Sequence, residues 1–319
     1  MPKLSDAVGN AFNEARMLVL GGQVLLGFSF RICFEKRFDH IPQPAQLAQM
    51  LGLGIMTAGL GWLIWPAAFH QIKEKGRMTA AIHSFTTTVL DWGLLPFVLG
   101  LALTLYTVAT ALELPYAPLM GAAAGVLATA MWYGWSRLGR KPDAKEKVQS
   151  DLAQQEQRNQ DKPDISDRIK KVLVECRMAL PGAQAFLGFQ FSIVFAQGFE
   201  SVPRAWQMIH FISLLATTVA TVLFIAPAAY HRIHEAGEDT EHFHTVASRL
   251  LLAGLVFLGP GMAGDLFVVI AKVTQSPGGA GISAGLLLLA FYGLWFGVSA
   301  WRRKVTANRF TTQKEQKYS

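Results

Sequence analysis

Charge is scarce in this chain. Of its 319 residues, 16% are charged, against about 25% in a typical soluble domain. Cysteine is rarer still: only Cys33 and Cys176 occur. No CxxC or CxxCH is present, which excludes thioredoxin-like chemistry and covalently attached haem. No Walker loop, HExxH, GxSxG or dinucleotide fingerprint stands in a suitable context, so no enzymatic activity is expected. The opening MPKLSDAVGNAFNEAR is polar and lacks an apolar stretch followed by small residues, so no signal peptide is expected.

What is abundant is apolar surface. Hydrophobic residues make up 51% of the chain, gathered in eight runs at about 17–34, 47–69, 84–109, 117–136, 178–195, 208–230, 246–271 and 282–301. A helix of roughly 20 apolar residues crosses a hydrocarbon layer about 30 Å thick, and only a helix or closed barrel satisfies its own backbone there. The first and fifth runs are short and hold glutamine. The expected fold class is an all-α membrane protein with eight transmembrane helices. With these spans, 23 of the 29 Lys and Arg fall on the side shared by the two termini; only Lys36, Arg37, Arg204 and Lys272 lie opposite, and Arg31 and Arg249 sit inside spans. Basic loops stay in the cytoplasm, so both termini are expected there. Cys33 and Cys176 then lie at opposite faces, too far apart for a disulfide.

The chain also repeats itself. Shifted by 161 residues, 14–83 aligns with 175–244 without a gap, and 26 of the 70 positions are identical. An even number of helices per copy gives both the same orientation, hence two parallel tandem four-helix bundles, and a two-fold axis along the membrane normal is the expected relation. The domains expected are a first transmembrane unit over 1–137, a polar cytoplasmic linker over 138–172 with a helix around Ala144–Gln157, a second unit over 173–304, and a basic tail over 305–319. The net charge of +7 is placed for topology and anionic lipid headgroups rather than nucleic acid.

Polar residues kept in both copies are the candidate site. Gln23 and Gln184 lie inside the first helix of each unit, where a buried amide packs helices together. Pro66 to His70 and Pro227 to His231 end the second helix, each followed by Glu74 or Glu235 four residues on, and His83 or His244 returns after a short loop. Glu14 and Glu175 enter at the same depth. Each unit is thus expected to gather its own cluster, His70 and His83 with Glu14 or Glu74, and His231 and His244 with Glu175 or Glu235. Such clusters read as a hydrogen-bonded scaffold, as a site for haem b or a divalent metal, or as a proton relay. Asp91, buried within a run, is the candidate for transport.

The motifs GxQxxLGFxF at 21–30 and 182–191, and PAA[FY]H[QR]I at 66–72 and 227–233, resemble those of a family of small uncharacterised bacterial four-helix inner-membrane proteins. The chain resembles a tandem fusion of two such units, which implies a fold and an inner-membrane location. Two functions stay open: a non-enzymatic binding or accessory protein, and a cation- or proton-coupled transporter. The lipid bilayer is the expected partner, with a membrane complex or homo-oligomer possible.

Overall fold

The computed structural model describes residues 4–134, 150–152, 154, 165–233 and 240–306, and among these every regular element is helical. The first unit comprises α1 (Leu4–Ile32), a 3-10 turn (Lys36–His40), α2 (Gln43–Ile72), α3 (Ala80–Gly93), α4 (Leu95–Ala111) and α5 (Ala117–Thr129). The second comprises α6 (Ile165–Ile193), a 3-10 turn (Gln197–Phe199), α7 (Arg204–Ile233), α8 (Glu241–Thr274) and α9 (Pro277–Tyr292). Pro96 explains the break between α3 and α4: it has no amide hydrogen to return to the carbonyl four residues back. In the second unit the equivalent stretch is the single long α8.

Among the described residues, six stretches are long and apolar enough to cross a membrane: Asp6–Ile32, Gln43–Ile72, Ala80–Ala111, Arg204–Tyr230, Glu241–Thr274 and Pro277–Thr306. The two other expected runs are weaker. Ala117–Tyr133 is apolar but shorter. The run at 178–195 lies in α6, whose first half carries Asp167, Arg168, Lys170, Lys171, Glu175 and Arg177, and so leaves too short an apolar window. α6 also begins inside the stretch read as linker. The helix expected around Ala144–Gln157 lies outside the described residues except at 150–152 and 154, which are helical. Most of the basic tail is outside them too.

The repeat extends to individual hydrogen bonds. Thr79 caps α3 by accepting from Ile82 N, and Thr240, its equivalent, caps α8 by accepting from Phe243 N. Gln46 Nε2 donates to the carbonyls of Phe38 and Ile41, both at 3.1 Å. Gln207 does the same to Phe199 and Val202 at 3.2 and 2.9 Å. These glutamines close the turn that joins the first two helices of each unit.

The units share one core. Phe12, Leu26, Phe30, Met56 and Leu60 from the first and Phe186, Phe224, Leu255, Met262 and Trp295 from the second belong to a single buried cluster. At its seam α1 lies against α6, where Phe28 and Phe189, repeat equivalents, meet edge-to-face at 4.8 Å. Lipid tails are as apolar as leucine, so such a seam is held by fit and by interhelical hydrogen bonds rather than by escape from water. Gly27 and Gly198 supply the fit. A Cβ on Gly27 would enter the Phe189 ring, and one on Gly198 would enter the Phe34 backbone, whose carbonyl accepts from Gly198 N at 2.9 Å. A second join is made by α9 and its continuation: Trp295 Nε1 donates to the Gly61 carbonyl at 2.8 Å, and Trp65 Nε1 to Ser299 Oγ at 3.2 Å. α5 exposes Leu119, Val126 and Leu127, as a lipid-facing helix does.

Candidate functional site

α2 runs unbroken through Pro66 to Ile72, with Pro66, Ala67, Ala68, Phe69, His70 and Gln71 all buried. His70 and Glu175 are both completely buried and face each other there, His70 Nδ1 against Glu175 Oε1. Gln71 Nε2 donates to the other carboxylate oxygen. His70 Nε2 lies 3.1 Å from the Arg77 carbonyl. Ser248 on α8 reaches Gln71 Oε1 at 2.7 Å, its hydroxyl also lying 2.8 Å from the His244 carbonyl. Phe12 covers the imidazole at 5.3 Å between ring centres. His244 Nε2 rests against Gly76, 2.7 Å from where a Cβ would stand, and Gly76 has a φ of 75° that favours glycine.

The expected grouping is therefore rearranged. Among the described residues, side chains of both units meet in a cluster across their junction. His70 takes its carboxylate from Glu175 of the second unit, not from Glu14 or Glu74. Glu14 is exposed, and Glu74 is paired with Lys73 at 2.7 Å. His83 is half-buried on α3 with Nδ1 unbonded. His231 lies in the last turn of α7, but its side chain and all of Glu235 fall outside the described residues. Among the described residues, no group of three or more His, Cys, Asp or Glu side chains is placed to hold a metal ion.

The partners of His70 fix its chemistry. A carboxylate oxygen faces one ring nitrogen and a backbone carbonyl the other, so both nitrogens are engaged within the protein. Neither nitrogen is left open to a metal.

The other sequence candidates part company. Gln23 is buried, packed on Gly182 with both amide atoms unbonded, whereas Gln184 is exposed. Asp91 is on the outer surface of α3. Both cysteines are free and buried.

A second buried pair was not anticipated. His210 on α7 meets Asp265 on α8, Nδ1 to Oδ1 at 2.9 Å, and both are almost wholly buried. Gln190 on α6 donates to the remaining Asp265 oxygen at 2.6 Å, and its carbonyl lies 3.1 Å from His210 Nε2. The signal was available: shifted by 161, both residues are ionisable where the first copy has Gln49 and Thr104.

Among the described residues every regular element is helical and six stretches are long and apolar enough to cross a membrane, the composition of a helical membrane protein. The model of a family of unknown function, DUF6328, matches residues 4–136 and again 159–299, as a tandem two-unit arrangement would give, and the chain belongs to that family. No curated protein and no solved structure matches it.

Proposed function

We propose that the chain is a non-enzymatic protein of the bacterial inner membrane that crosses it eight times with both termini in the cytoplasm, and that it works as a proton- or cation-coupled transporter. One observation carries the transport reading. Two buried His–carboxylate pairs lie along α6: Glu175, ten residues into the helix, faces His70, and Gln190, near its C-terminal end, holds the His210–Asp265 pair. Ionisable groups buried between membrane helices are expensive and mark pathways for ions or protons. Glu175 and Gln190 are 15 residues apart on α6, about 22 Å along a helix. That is most of a hydrocarbon layer. The repeat in the sequence, the double family match and the Phe28–Phe189 contact support two similar units about a common axis.

In proteoliposomes carrying an internal pH-sensitive dye, an imposed pH gradient should decay faster than in protein-free vesicles when a permeant counter-ion is present. Decay at the protein-free rate with every counter-ion tried would overturn the transport reading. The purified protein should show no Soret band, since both ring nitrogens of His70 are engaged. Reporter fusions after Pro42, Pro115, Pro203 and Pro277 should all report the periplasm; a cytoplasmic signal at any two would refute the eight-span topology.

The binding or accessory reading, with haem or a metal at the cytoplasmic His/Glu cluster, has His83 in its favour, half-buried with an unbonded nitrogen. A Soret band or bound metal in the purified protein would restore it.

A further inference from the structure

The repeat offers a control for the buried His210–Asp265 pair. With a shift of 161, Gln190, His210 and Asp265 correspond to Ser29, Gln49 and Thr104. The first unit builds the same junction from these neutral residues. Gln49 Nε2 donates to the Ser29 carbonyl at 2.9 Å, where His210 Nε2 meets the Gln190 carbonyl at 3.1 Å. Ser29 and Thr104 are joined through their hydroxyls at 3.1 Å, where Gln190 is joined to Asp265 at 2.6 Å. Each set ties together three helices of its unit. Neutral residues therefore suffice for the packing. The second unit instead takes an imidazole and a carboxylate out of water, at a desolvation cost that the fold does not require.

The surroundings leave the pair to itself. α1 contributes Phe30, stacked over His210 at 6.4 Å, and the 3-10 turn contributes Phe199, edge-on at 5.1 Å. α6 contributes Gln190, and α8 contributes Asp265 as the charged partner. Lys272, two turns further along α8, is engaged by Asp39 at 2.5 Å and by the Cys33 carbonyl at 2.8 Å. Gln190 Oε1 is buried with no donor, an acceptor position suited to a water molecule.

We infer that Gln190, His210 and Asp265 form a proton-binding site belonging to the second unit alone. Both partners of His210 are acceptors, so the pair as placed holds one exchangeable proton, as imidazolium with carboxylate or as imidazole with carboxylic acid. Its release to water leaves neutral imidazole beside carboxylate, one negative charge held among three helices. Its uptake restores a neutral pair. Gln190 tethers Asp265 in both states. The first unit, lacking any titratable group at these positions, keeps the same junction fixed. This deepens the transport reading by naming the proton as the ligand and the second unit as its seat, but proton binding is measurable without transport.

The test is infrared difference spectroscopy of the full-length protein in lipid nanodiscs, titrated between about pH 4 and 9, the range in which carboxyl and imidazole groups exchange protons. The readout is the wild-type spectrum minus that of a variant in which this site is neutral, so that the His70–Glu175 pair and the surface groups cancel. Wild type minus Asp265→Asn, and wild type minus His210→Gln, should each show carboxyl and imidazole bands that change together with pH. If either single variant fails to fold, the triple exchange Gln190→Ser, His210→Gln and Asp265→Thr installs the neutral set on which the first unit folds, and it should be stable and give the same difference. A difference spectrum without coupled bands, for a folded single or triple variant, would overturn the site. Coupled bands with no vesicle flux would defeat the transport reading alone, and flux without the bands would defeat this site alone.

Discussion

Glu175→Ala is expected to destabilise the protein by about 3–5 kcal/mol, because removing one member of a buried ion pair strands the other without compensation. His70 would keep its imidazole in a space with no access to solvent, its Nδ1 facing a void instead of Glu175, and Gln71 would lose the acceptor for its amide. The conservative exchange Glu175→Gln should do less harm, since it still offers an acceptor to His70. Replacing the pair together, as His70→Met with Glu175→Leu, should restore most of the loss, because a well-packed apolar pair avoids desolvation altogether. Resistance of the purified protein to unfolding in denaturing detergent reads all three. Equal losses for the single and double replacements would mean that the ion pair itself, not a stranded charge, holds the junction. By contrast Glu14, the exposed repeat equivalent of Glu175, should tolerate alanine with little change.

Trp295→Ala should cost a similar amount, about 3–5 kcal/mol, as large-to-small changes of a buried indole do. Trp295 is wholly buried, stacked on Phe291 with ring centres 4.9 Å apart, and bonded to the Gly61 carbonyl across the units. Trp295→Phe keeps the stacking and loses the hydrogen bond, for which about 0.5–1.5 kcal/mol is expected. Gly61→Leu should resemble the alanine variant from the other side, because even a Cβ there would run into the Phe291 ring. If Trp295→Ala unfolds no more easily than wild type, α9 is not a structural part of the first unit.

Much of the fold was legible because apolar length and internal repetition are written along the chain. Thr79 and Thr240 stand at helix starts in both copies and cap them in the same way. The site was less legible, because its pairs are made between residues remote in sequence. Nothing local to His70 points to Glu175, 105 positions away, when Glu74 lies one turn on. Gln23 and Gln184 make the point most sharply. They occupy identical motifs, yet one is buried against Gly182 and the other exposed. A periodic pattern fixes which face of a helix is apolar, but where two copies share a seam only tertiary placement decides which polar residue turns inward. The charged first turns of α6 likewise hid how much of the supposed linker is helix.

The join between Trp295 and Gly61 also sets an order of events during synthesis. The two residues are 234 positions apart, so at about 5–20 residues per second the ribosome needs roughly ten to fifty seconds to deliver the indole after the glycine has been made. Throughout that interval α2 presents the small residues Gly61, Ala67 and Ala68 to whatever lies beside it in the bilayer. The first half of the protein is thus an unfinished wall until nearly the whole chain has entered the membrane, and its last helix is also its closing stone.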